Sequence, residues 1–263
     1  MGLTEFLNHH KTTKQANVTS IQGGKWFVPP DKYKQFYRLI RKAFSSDTPV
    51  PALTETIGNV LPLIFDLDIK YSEVVTESQL NVRCIQGILE TLWCCIKDVI
   101  DIDDETKYND VYVLLKDKPY PCSKAGYQSK DGIHIVFPKI ILSKDSYKIL
   151  GQLVQDNQES LFQVFRETCT VPPSNLDDTL TDYKITRWMP YLCHKPNEEP
   201  YLVKHLFYMV GSNAQIRDAE LLEGEIPMYT DEIFMNEMSM IRDTLKENVS
   251  YTELVENRLK PKP

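Results

Sequence analysis

Two aspartates one residue apart interrupt an apolar run, Ile64-Phe65-Asp66-Leu67-Asp68-Ile69. Aspartate is depleted from β-strands, so a pair within one strand requires a reason. Strand side chains alternate faces, which puts Asp66 and Asp68 on one face and Leu61, Leu63, Phe65, Leu67 and Ile69 on the other. A solvated outer face would account for the acids, but Pro62 and Ile64 on the same side argue against solvation. Two carboxylates held one strand repeat apart suit a hard cation such as Mg²⁺, which takes one or two carboxylates plus substrate phosphates.

A second run, Lys130-Asp131-Gly132-Ile133-His134-Ile135-Val136-Phe137-Pro138, also reads as a strand. Ile133, Ile135 and Phe137 form its apolar face, and Lys130, Gly132 and His134 share the other. A lone histidine there would be a core residue, but the row of a cation, a side-chain-free gap and an imidazole resembles an anion-binding surface. Glycine inside a strand marks close approach by a ligand or another backbone. If the two strands are neighbours, two acids face a lysine and a histidine, as a metal–nucleotide site requires.

The elements that must position these residues are readable in outline. The first 20 residues are polar and are expected to be poorly ordered at the start. Asp31 is expected to cap a helix with Tyr33, Phe36, Tyr37, Ile40 and Phe44 on one face, and residues 45–55 read as a loop. Thr76-Glu77-Ser78-Gln79 fits a capping box that opens a helix to about Val99, and residues 100–109 read as an acidic loop. Strands are expected at Val111–Leu115 and near Ile185–Met189, the latter with Tyr201–Val210 as hairpin partner. Helices are expected from Ser143 to about Val154, from Ser160 to Thr168, and over Asp231–Lys246 with Phe234, Met238, Ile241 and Leu245 on one face.

The chain has 263 residues and a net charge of −7, with 42% hydrophobic and 25% charged residues. That is an ordinary globular composition, and the charge argues against a strongly basic, non-specific nucleic-acid binder. A local basic stretch remains: Lys116, Lys118, Lys124, Lys130 and Lys139 with Tyr120 and Tyr127 interleaved. No run approaches a membrane span, and no membrane association is expected. The start, Met1-Gly2-Leu3-Thr4-Glu5, lacks the regions of a secretory signal. The six cysteines show no C-x₂-C spacing, so reduced thiols in a cytosol-like compartment are expected, and no zinc site is.

Phe65-Asp66-Leu67-Asp68, then Ser129-Lys130-Asp131-Gly132-Ile133-His134, then Leu176-Asp177 resemble, in order and spacing, the three motifs of archaeo-eukaryotic primases. The similarity is greatest to the N-terminal primase domain of the primase–helicases of large nucleocytoplasmic DNA viruses and related mobile elements. Gly24-Lys25-Trp26-Phe27-Val28-Pro29 and Arg187-Trp188-Met189-Pro190-Tyr191 extend it over about residues 20–210. The resemblance implies an α+β fold: an αβ unit joined to an RRM-like unit, the active site between them. It implies templated nucleotidyl transfer from a nucleoside triphosphate to a 3′-hydroxyl on a single-stranded DNA template. Asp66, Asp68 and Asp177 would hold two divalent ions, Mg²⁺ or Mn²⁺, with Asp178 as the alternative third acid. Ser129, Lys130, His134, Arg187 and Lys195 would contact the nucleotide. It further implies a catalytic domain over residues 1–215, a helical extension and linker over 216–263, a fused or associated helicase, and a host-cytoplasmic or viral replication site.

Two rival readings stand beside this one. A haloacid-dehalogenase-type phosphatase also opens on Phe-Asp-x-Asp, but Gly and Thr usually follow there, where this chain has Ile69-Lys70. A primase-derived module that only binds DNA is the other, and it gives no reason to keep the acids with Lys130 and His134.

Overall fold

The strands carrying Asp66–Asp68 and Lys130–His134 are antiparallel neighbours in the computed structural model. It describes residues 1–46, 48, 50–102, 104–176, 186–216, 235, 237–241, 245–253 and 255. Along the chain run α1 (Leu3–His9), β1 (Val18–Ser20), β2 (Lys25–Trp26), a 3₁₀ turn (Pro30–Lys32), α2 (Tyr33–Ser45), β3 (Leu53–Thr56), β4 (Val60–Tyr71), α3 (Val82–Val99), β5 (Ile100–Asp101) and α4 (Glu105–Tyr108). They continue with β6 (Asp110–Leu115), β7 (Tyr120–Pro121), β8 (Ser129–Ser143), α5 (Lys144–Asp156), α6 (Gln158–Thr168), β9 (Asn175–Leu176), β10 (Arg187–Trp188), β11 (Leu202–Val210), β12 (Asn213–Ile216) and β13 (Ser250–Tyr251).

The large sheet has the order β12-β11-β6-β8-β4-β9, with β7 added to the start of β8. Its two long central strands, β4 and β8, stay in register from Leu63↔Phe137 to Tyr71↔Ser129. Pro138 lacks a ladder donor, and pairing shifts there before resuming at Pro62↔Ile141. One face of the sheet is apolar. Phe137 stacks on Trp93 of α3 with ring centroids 5.8 Å apart, and the Tyr147 hydroxyl of α5 donates to the Ile64 carbonyl at 2.9 Å. Each fully buried side chain of this kind contributes roughly 1.5–3 kcal/mol. Leu63, Phe65, Leu67 and Ile69 therefore fix the register, because a one-residue slip would turn both acids into the core.

A smaller antiparallel sheet, β10-β3-β1-β2, carries α1 and α2, whose Phe6 and Phe36 rings lie 6.1 Å apart. The chain is thus an α+β molecule whose two larger sheets share one continuous core, with a two-stranded β13-β5 ribbon beside them. Among the described residues, no helix is long and apolar enough to cross a membrane.

Several sequence expectations are corrected. The start of the chain is a helix, because Leu3, Phe6 and Leu7 are buried. Asp31 lies within the 3₁₀ turn rather than capping α2. The loop expected over 45–55 ends in β3, which takes Arg187–Trp188 as its partner; β11 pairs instead with β6 and β12. Residues 100–109 contain β5, paired to β13, and α4.

Helix α3 begins later than the Thr76 box implies. Asn81 caps it, its Oδ1 accepting from the Cys84 amide at 3.0 Å, while Ser78 donates to Asp131 at 2.6 Å. The expected helix over 231–246 is not continuous: Met235 and Glu237 are helical, but the chain leaves the helix by Ser239. There the buried Glu55 carboxylate accepts from the Met240 amide at 2.7 Å and from Tyr37 at 2.6 Å, drawing the backbone out of helical pairing. Met235, Met238, Met240, Ile241 and Val255 belong to the common core. The start of the Ile185–Met189 strand lies outside the described residues.

Replacing a capping Asn by Ala costs about 1 kcal/mol. Asn81→Ala is expected to lower stability by that amount in chemical denaturation, whereas Thr76→Ala, at an exposed site, should change it by less than about 0.5 kcal/mol.

Candidate active site

The β4–β8 register sets Asp66 directly opposite His134 and Asp68 opposite Gly132. Because Gly132 has no side chain, Lys130 reaches across it and its ammonium pairs with the Asp68 carboxylate. His134 Nε2 lies 3.4 Å from Asp66 Oδ1. That oxygen is buried and has no hydrogen-bond partner among the described residues. The expected face-to-face arrangement of acids with a lysine and a histidine is therefore present.

Electrostatics follow from this packing. Burial works to raise the Asp66 pKa, but His134, then Lys130 and Lys195, outweigh it and hold the carboxyl below its ordinary value. Burial also opposes the Lys130 charge, and the Asp68 carboxylate overcomes it, raising the ammonium pKa. The Glu198 carboxyl, against which burial works, is nonetheless lowered by Lys116.

Gly132 does not leave an open gap. The Tyr201 hydroxyl fills it: a Cβ on Gly132 would lie 2.1 Å from that oxygen. Tyr201 also stacks on His134 at 3.6 Å between centroids, and Trp188 of the smaller sheet sits 4.7 Å from the same imidazole. His134 is thus clamped between aromatic rings from separate parts of the chain. The close approach read from Gly132 is made by a side chain of this protein.

A cavity of about 260 Å³ opens between the sheets, lined by Asp66, Asp68, Lys130, His134, Arg187 and Lys195 among others. The sequence-derived candidates Arg187 and Lys195 are exposed and join it from a different segment. Ser129 does not line it. It lies on the opposite face of β8, its hydroxyl donating to the Glu73 carbonyl at 2.7 Å and accepting from the Val75 amide at 2.9 Å. Asp177, like Asp178, lies outside the described residues; Leu176, the last described residue before it, pairs with Ile69 of β4.

A second cavity, about 700 Å³, adjoins the first and shares Lys116, Tyr120, Lys130 and Lys195 with it. Lys70, Lys118 and Lys124 add further charge. The basic stretch is not uniformly available. Lys116 is buried, bonded to Glu198 at 2.7 Å and set 3.9 Å over the Tyr120 ring, while Lys139 pairs with Asp110.

The donor set suits a divalent cation. Asp66 and Asp68 share one face, and a buried carboxylate oxygen without a hydrogen bond is what a missing cation would leave. Among the described residues there is no cluster of three or more His, Cys, Asp or Glu that could hold a metal, so the described pair alone is an incomplete shell. Sequence reasoning missed Tyr201, Lys70 and Glu198. Lys70 was within reach, since it continues the Asp66–Asp68 alternation; the other two arrive from a distant segment with no local signal.

A family model described as the C962R protein N-terminal AEP domain matches residues 17–207. The chain is also similar to "Putative helicase 121R" of Invertebrate iridescent virus 3, at 24% identity over 221 residues, which is 80% of this chain and 22% of that protein. The chain thus spans about a fifth of that relative's length.

Overpacking a filled site costs about 1–3 kcal/mol. Gly132→Ala should therefore destabilise the protein by that amount in denaturant titrations, by driving Tyr201 off His134. Pairing it with Tyr201→Leu should recover most of the loss, since the two positions are in contact.

Proposed function

This chain belongs to the archaeo-eukaryotic primase (AEP) domain family, and on that footing we propose that it is a divalent-metal-dependent nucleotidyltransferase acting on nucleoside triphosphates along a single-stranded DNA template. The observation that carries this reading is the Asp66–Asp68 pair, one oxygen buried with no hydrogen bond among the described residues, facing Lys130 and His134 in a cavity. Family membership displaces the phosphatase alternative, and the intact acid pair speaks against a module that only binds DNA.

Asp66 and Asp68, with Asp177 as the third acid, would hold Mg²⁺ or Mn²⁺. Bound there, such ions would neutralise phosphate charge and activate a 3′-hydroxyl. The protein's own groups do the rest. Lys130 is the counter-charge of Asp68, and with that carboxylate engaged by an ion its ammonium would be available to phosphate. Arg187 and Lys195, exposed at the cavity wall, contribute further charge to the triphosphate. The Tyr201–Trp188 clamp fixes the His134 ring, so its Nε2 is oriented before substrate arrives. Ser129 supports the turn at Glu73–Val75 instead of touching the nucleotide.

The adjoining lysine-lined cavity provides the path for the template backbone, with Lys118 and Lys124 as its exposed cations. A helicase, fused or associated, would act on the same strand. The printed name of the iridescent-virus relative supports that partner, and a viral origin.

Asp66→Ala and Asp68→Ala should each reduce Mn²⁺-dependent incorporation on primed single-stranded DNA by at least about 10²-fold. Both variants should keep a cooperative melting transition. Near-wild-type incorporation by either would sink the metal assignment.

Each lost phosphate contact flattens the log–log salt dependence of single-strand binding by about 0.7. Lys118→Ala combined with Lys124→Ala should therefore lower affinity and flatten the slope in fluorescence-anisotropy titrations. Lys116→Ala should act mainly through stability, because its ammonium is already committed to Glu198.

A further inference from the structure

Cys84 and Cys169 are distant in sequence but adjacent in space, with Sγ atoms 3.7 Å apart. Cys84 is buried in the first turn of α3, and Cys169, half-buried, follows α6 directly. Their backbones are already tied together on both sides. Asn81 Nδ2 donates to the Thr168 carbonyl at 3.0 Å, and the Val171 amide donates to Gln79 Oε1 at 3.0 Å. A disulfide needs its sulfurs at about 2.05 Å, so closure asks the two sulfurs to approach by under roughly 2 Å.

The two thiols are chemically unequal. The Cys84 thiol beside it holds Cys169 below its ordinary pKa, whereas its contact with Cys169 and burial push Cys84 up. The more accessible sulfur is thus the better nucleophile and the buried one the resolving partner.

We propose that Cys84 and Cys169 form a reversible oxidation site that closes to an intramolecular disulfide on exposure to hydrogen peroxide. The Cys169 thiolate attacks one peroxide oxygen, the O–O bond breaks, and a sulfenic acid and water result after protonation. The Cys84 sulfur then attacks the sulfenic sulfur, expelling the hydroxyl as a second water. In sum two thiols are oxidised, one peroxide is reduced, and two waters leave. A thiol reductant reverses the bond. The bridge would lock the turn at Gln79, whose carbonyl already receives the Cys169 thiol, next to Ser78, which holds Asp131 on β8.

The test is peroxide treatment of the full chain, followed by thiol counting and non-reducing peptide mapping. The expected result is a fall from six free thiols to four, a Cys84–Cys169 linked peptide, a raised melting temperature, and full reversal by dithiothreitol. In Cys84→Ser, Cys169 should instead proceed to the sulfinic acid. If that variant fails to fold, the wild-type map decides alone. Cys169 ending as a sulfinic acid in the wild type, or oxidation of Cys94 or Cys122 with the pair left free, would overturn the proposal.

Discussion

Two carboxylates on one strand face repel each other, and burial makes that repulsion more costly. The rest of the site is arranged around this constraint. Asp68 has Lys130, and Asp66 has His134, whose Nε2 lies 3.4 Å from its Oδ1. That oxygen is buried and makes no hydrogen bond among the described residues, a costly arrangement for a purely structural acid. The groups that relieve the repulsion in the free protein are the groups that a metal and a triphosphate would call on.

That constraint reaches outward through the sheet. The apolar faces of β4 and β8 fix a register that no slip can preserve, and the register alone puts acid opposite base. Gly132 lets Lys130 cross to Asp68 and lets Tyr201 lie against His134. Trp188 of the smaller sheet also contacts the ring, so the imidazole touches residues of both sheets at once. Glu55, one residue before the end of β3, ties that sheet to Met240 far along the chain. Packing of the two sheets and geometry of the site are therefore one problem.

Strand periodicity made the heart of the site readable, because alternation is local and Asp66, Asp68, Lys130 and His134 each obey it. The motif order added the family and hence the α+β class. What escaped depended on long-range partners. Nothing near Arg187–Trp188 says that β3 is their neighbour, and nothing near Tyr201 says that Gly132 makes room for it. The Thr76 box failed because the Gln79 side chain accepts from the distant Val171 amide instead, leaving the cap to Asn81. The continuous helix expected over 231–246 is broken at Ser239 because the Glu55 carboxylate captures the Met240 amide. The lysine stretch was overread, since pairing with Glu198 and Asp110 cannot be seen from composition.

The central claim is that Asp66 and Asp68 bind metal and that Lys130 exchanges its carboxylate for phosphate. A crystal structure of the chain soaked with Mn²⁺ and a nucleoside triphosphate tests it most directly through the anomalous signal of manganese. The account predicts manganese bound by Asp66 and Asp68, Lys130 turned from Asp68 to the triphosphate, and His134 still clamped by Tyr201 and Trp188. Manganese and triphosphate bound elsewhere, with the Lys130–Asp68 pair intact, would contradict it.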